Sequence, residues 1–184
     1  MAKSKKKYDV YGRRKEVFGF VAEELCRLFA QLPKYEKLGS RTEFTRMVRY
    51  LLGICLASRA TKHFSGLRTK AAGEILSQTE KARANKTRYD HVVPLNLLIS
   101  RIEQIAEEKT PTRWRRQFER LLNDNLFMVL LTKEEDDCLN KRGRSGMPEG
   151  WQFGDNPFAR YFPMKFEVFS NAGKKLNLRK APWN

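Results

Sequence analysis

Between Arg14 and Leu32 the apolar residues fall at Val17, Val21, Leu25, Leu28, Phe29 and Leu32. That three-and-four spacing lines one face of an α-helix and requires a second apolar surface to cover it. Pro33 lacks the amide that would continue the ladder, so the helix is expected to end there. Ser40-Arg41-Thr42-Glu43 has the form of a capping box and opens a second stripe at Phe44, Met47, Val48, Leu51, Leu52 and Cys55. A third helical pattern runs from Arg68 to Ala84 through Ala72, Ile75, Leu76 and Thr79. Three amphipathic helices in succession commit the first half of the chain to a helical scaffold.

The period changes at Thr87. Tyr89-Asp90-His91-Val92-Val93-Pro94-Leu95 is short, β-branched and stopped by proline, which predicts an extended segment. Helical spacing resumes at Leu98, Ile102, Ile105 and Ala106. Thr110-Pro111 then places a cap and a first-turn proline before Trp114, Phe118, Leu121 and Leu122. The run Leu126–Leu131 reads as a buried strand. Thr132-Lys133-Glu134-Glu135 is a second capping box, predicting a short helix that ends near Gly143. From Gly146 the chain is irregular, with one further strand expected within 164–169.

The expected fold class is α+β and mainly helical, a helical scaffold with an embedded strand–long helical insert–strand–helix element. Its expected organisation is a basic arm over 1–12, a single domain over 13–170 and a basic tail over 171–184. Within the domain, 13–86 is the scaffold, 87–145 the strand-containing element and 146–170 an irregular segment.

Charge narrows the partners. Lysine and arginine number 37 against 21 acidic residues, a formal net charge of +16. Such an excess attracts polyanions, and each phosphate neutralised on DNA releases condensed counterions. No apolar run reaches the ~20 residues of a membrane span, and the lysine-rich start has no apolar stretch of the secretory kind. A cytoplasmic protein is expected, nucleoid-associated in a bacterial setting, neither secreted nor membrane-bound. Cys26, Cys55 and Cys138 form no paired spacing, so neither a zinc knuckle nor a disulfide framework is expected. The cations assigned to nucleic acid are Arg113, Arg115, Arg116, Arg160 and Lys165. The segment from Trp151 to Phe162 interleaves aromatics with Arg160. It suits either stacking on unpaired bases or docking on the helical core, of which docking is preferred.

Of two histidines, His63 has no acidic neighbour and reads as structural, whereas His91 follows Asp90 directly in a basic region. Asp90-His91-Val92-Val93-Pro94-Leu95 resembles the first half of the motif of HNH, or ββα-metal, nucleases: Asp-His, two β-branched residues, proline and an aliphatic residue. The resemblance implies that His91 is the general base and Asp90 a ligand of one divalent metal ion, Mg²⁺ or alternatively Mn²⁺. It also implies a second strand (126–131) leading to a helix (133–141) that supplies a further ligand, Asp136 first and Asn140 second. Arg88 is the candidate for gripping the scissile phosphate, because a guanidinium meets two phosphate oxygens at once.

The chemistry requires these residue types. An imidazole deprotonates water near neutral pH, and a hard cation on oxygen ligands stabilises charge on the phosphate. The chain departs from the family in separating the two strands by two helices rather than a short glycine-containing loop. The expected function is metal-dependent endonucleolytic cleavage of nucleic acid, with double-stranded DNA as first choice and a homodimer compatible with cutting both strands. The alternative is a non-catalytic, basic DNA- or RNA-binding protein.

Overall fold

The structure, a computed structural model, describes residues 10–57, 67–76, 85–143, 146–170 and 173–180. His63, the lysines of the N-terminal arm and the predicted helical stretch 77–84 lie outside them.

The helical layer is built as the stripes require. Helix α1 (Val10–Ala30) is followed by the short α2 (Leu32–Lys37) and by α3 (Arg41–Ala57). Pro33 does not merely end α1: it occupies the first turn of α2, where its missing amide has no intrahelical role. The start of α3 falls where the capping box places it, although the Ser40 hydroxyl turns toward the Leu38 carbonyl at 3.4 Å.

Further along, α5 (Leu95–Glu108) and α6 (Pro111–Asn125) complete the layer. Phe18, Val21, Leu25 and Phe29 of α1 meet Phe44 and Val48 of α3, Leu98 and Ile102 of α5, and Trp114 and Phe118 of α6 in one buried cluster. Phe29 lies edge-on to Phe44 with ring centroids 4.9 Å apart, a geometry that aligns a positive ring edge with a negative face.

The remaining elements form a small mixed sheet. Its strands are β1 (Leu67–Thr69), β2 (Thr87–His91), β3 (Met128–Thr132) and β4 (Val168–Phe169), in the order β2-β3-β1-β4. The expected helix from Arg68 is thus replaced at its start by β1, and only Lys70–Ile75 is helical, as α4. Thr69 explains the switch: its hydroxyl accepts from the Ala72 amide and caps α4 from the end of the strand.

All five residues of β3 are buried, as befits a central strand read from an unbroken apolar run. β3 runs parallel to β1 and antiparallel to β2, and β1 is antiparallel to β4. The sheet therefore draws on residues well outside 87–145. Helix α7 (Lys133–Gly143) begins as β3 ends. Its capping box is complete: Glu135 N donates to Thr132 Oγ1 at 3.2 Å, and Thr132 N to Glu135 Oε2 at 2.9 Å.

Beyond α7, a 3₁₀ turn (Ala159–Met164) buries Phe158 and Tyr161 against Val129, Leu131 and Leu139. Lys165, at φ 56° in the left-handed region, turns the chain into β4. Within the basic tail, Leu176 N donates to Val168 O at 2.8 Å, and Leu178 is buried. Among the described residues no helix is long and apolar enough to cross a membrane.

Candidate functional site

β2 is an edge strand, paired on one side with β3 in the register Thr87–Thr132, Arg88–Leu131, Tyr89–Leu130, Asp90–Val129 and His91–Met128. Because α7 follows β3 without a linker and Thr132 pairs with Thr87, α7 starts beside the first residues of β2. Antiparallel strand, strand and helix are thereby joined at one edge of the sheet, although two helices intervene between the strands.

Alternation along β2 decides what each side chain meets. Val129, opposite Asp90, belongs to the cluster formed with Phe158 and Tyr161, whereas Met128, opposite His91, belongs to the helical core. Asp90 therefore faces α7 and the 3₁₀ turn, and His91 faces the helical layer. Arg88, two residues before Asp90, shares its face and is exposed, with Nη1 donating to the Thr87 carbonyl at 2.9 Å.

The Asp90 carboxylate is held at both oxygens. Arg160 Nη2 lies 3.4 Å from Oδ1 and the Tyr161 hydroxyl donates to Oδ2. Arg160 Nη1 also reaches the carbonyl oxygen of His91 at 3.5 Å. Burial pushes the Asp90 carboxyl upward, further than the attraction of Arg160 and the Tyr161 hydrogen bond pull it down, and Asp136 adds to the rise. Asp136, half-buried in the first turn of α7, is thus close enough to Asp90 for their charges to repel. Burial, and then Arg160, drive His91 below the ordinary imidazole range, so the ring is neutral at pH 7. Its Nε2 is shielded from solvent and has no hydrogen-bond partner among the described residues, as is also true of Arg160 Nε. Tyr161 is driven well above the ordinary phenol range by burial and then by Asp90, so it remains a donor.

These contacts correct one assignment. Arg160, expected to bind nucleic acid, is only 6% exposed and is spent on Asp90 and His91. A cation enclosed in this way cannot meet a phosphate on the surface. Docking, rather than base stacking, is what the structure shows for Phe158 and Tyr161. Lys165 is exposed as expected. Arg113, Arg115 and Arg116 are also exposed, but on α6 rather than around Asp90. Arg113 and Arg116, with Thr112, Gln117 and Arg120, line an open groove of about 780 Å³. Arg115 falls on a different side of the helix, near Cys26.

The metal-ligand expectation can be tested on donor chemistry. Among the described residues no three His, Cys, Asp or Glu gather as a ready cation site. What the chain offers is a pair of carboxylates, Asp90 and Asp136, with Asn140 one turn further along the same face of α7. Two carboxylates and an amide oxygen are the donor types that a hard divalent ion takes, although Arg160 already balances the charge of Asp90. Sequence reasoning missed Tyr161 as a partner of Asp90, because nothing local links positions some seventy residues apart. Neither a family model, nor a curated protein, nor a solved structure matches the chain.

Proposed function

We propose that the protein is a metal-dependent endonuclease that hydrolyses phosphodiester bonds of nucleic acid, DNA in the first place. The observation that carries the reading is the local topology. Asp90 and His91 end an edge strand that pairs antiparallel with β3, and α7 follows at once with Asp136 in electrostatic reach of Asp90. It supports the reading because the Asp-His-Val-Val-Pro-Leu resemblance implies a second strand followed by a ligand-bearing helix.

In this reading His91 is the general base, its neutral ring turning out of the pose in which Nε2 is closed to solvent to take a proton from the attacking water. Asp90 and Asp136 would hold a divalent ion, which would supply charge stabilisation at the phosphate and the departing oxygen. Arg88, on the Asp90 face of the edge strand, steadies the phosphate. The arginine stripe on α6 supports capture of the substrate. From Arg113 to Arg120 is about 10 Å of helix rise, which spans about three phosphates of one strand at 3.4 Å of axis each.

The reading is tested by incubating supercoiled plasmid with the protein and Mg²⁺ or Mn²⁺, with and without chelator. Nicked or linear product that chelator suppresses supports it, and intact plasmid under all conditions refutes it. A second reading, a non-catalytic DNA- or RNA-binding protein, is favoured by one specific observation. Both Asp90 oxygens already have protein partners, and His91 Nε2 is closed to solvent. It predicts salt-sensitive binding with no metal requirement and no product.

A further inference from the structure

We propose that Arg160 and Tyr161 are positioning residues for the Asp90–His91 pair, through which the C-terminal 3₁₀ turn sets the geometry of the cation site. The inference rests on the nuclease reading above. Its first support is chemical economy. A buried guanidinium is strongly desolvated, and a well-packed apolar residue would fill the same space at no greater free energy. Yet the chain places Arg160 there, 6% exposed, with its Nε unpartnered.

The second support is what the guanidinium touches. Its two terminal nitrogens contact acceptors on consecutive residues, the Asp90 side chain at 3.4 Å and the His91 carbonyl at 3.5 Å. A planar fork that spans both restricts the angle between a carboxylate and the backbone of the neighbouring imidazole, whereas an ammonium is a point charge that serves one acceptor well.

The third is lone-pair accounting. An ionised carboxylate offers about four acceptor positions. Arg160 takes one on Oδ1 and the Tyr161 hydroxyl one on Oδ2, which leaves one on each oxygen for a cation. The two contacts thus orient the carboxylate without exhausting it. The Arg160 contact with Oδ1, at 3.4 Å, exceeds the ~2.7–2.9 Å of a tight charge-assisted pair, so Oδ1 is the less firmly held of the two oxygens. A mere core-filling role needs neither the bridge to the His91 carbonyl nor the second donor on Oδ2.

The test uses the full chain as wild type, Arg160→Lys and Tyr161→Phe. Mn²⁺ binding is measured by electron paramagnetic resonance without nucleic acid, alongside single-turnover plasmid cleavage and the metal-free melting midpoint. Partners that hold metal-ligating carboxylates typically contribute 10–100-fold to affinity or activity. Each variant is therefore expected to bind Mn²⁺ and cleave about 10–100-fold less well, with a melting midpoint lowered by the weakened buried contact but still above the assay temperature. Tyr161→Phe removes a single oxygen from an otherwise unchanged ring, and it decides the matter should Arg160→Lys not fold. If the wild type binds Mn²⁺ and cleaves, and both variants match it, the positioning role is overturned and the nuclease reading survives. If the wild type neither binds Mn²⁺ nor cleaves, both are overturned.

Discussion

Replacing Arg113, Arg116 and Arg120 together by glutamine isolates the electrostatic part of substrate capture. The three side chains are exposed along the outer stripe of α6, which lines the open groove, while Trp114, Phe118, Leu121 and Leu122 of the same helix are buried. Glutamine and arginine have similar helix propensities, and the ion pair of Arg120 with Asp124 at 3.5 Å is exposed on both sides, which limits it to a few tenths of a kcal/mol. The variant should therefore melt as the wild type does. On duplex DNA each neutralised phosphate adds about 0.9 to the slope of log affinity against log salt, so three lost contacts lower it by about 2.7. Between 50 and 200 mM salt, wild-type affinity should consequently fall roughly 40-fold more than that of the variant. Fluorescence anisotropy with a labelled duplex, titrated at four salt concentrations, measures the slope directly. A slope difference below about 1 would mean that fewer than two of these arginines meet phosphate, and the assignment of this face to nucleic acid would fail.

Two further outcomes follow from the site. Thr132→Ala removes the hydroxyl that accepts from Glu135 N, while the Glu135 side chain keeps its bonds from the Thr132 amide and from Thr69 Oγ1 at 2.6 Å. It should cost about 1–2 kcal/mol, read as a lower denaturant midpoint with an unchanged slope; no change would show that the box does not hold α7 in place. Asp136→Ala and Asn140→Ala separate the two ligand candidates on α7. The account expects Asp136→Ala to weaken Mn²⁺ binding by the larger factor, measured by calorimetry, and the reverse order would transfer the role to Asn140.

The helical layer was legible because each helix repeats its period several times, and a stripe such as Phe44, Val48 and Leu52 leaves little choice of buried face. β3 and α7 were legible for chemical reasons: an unbroken apolar run marks a central strand, and Thr132–Glu135 closes the box it spells out. β1 was not, since a strand of three residues completes no period, whereas β4 falls within the strand expected over 164–169 but keeps only its last two residues. Their pairing is set by contacts far apart in sequence. The same holds for Arg160. Its local context, among aromatics and near lysine, suggests a surface cation, and only the fold of the 3₁₀ turn onto β2 reveals that it answers a buried carboxylate. Asp90 and His91 could be singled out as a dipeptide whose side chains alternate between faces, but which face each takes depends on a register that local sequence does not encode.

The account depends most on His91 as a base, and single-turnover cleavage of plasmid by His91→Ala, at protein concentrations that saturate binding, addresses it directly. Loss of a positioned general base should slow cutting by about 10²–10⁴-fold while anisotropy shows DNA affinity within twofold of wild type. Cleavage at the wild-type rate would contradict the mechanism, whatever the protein binds.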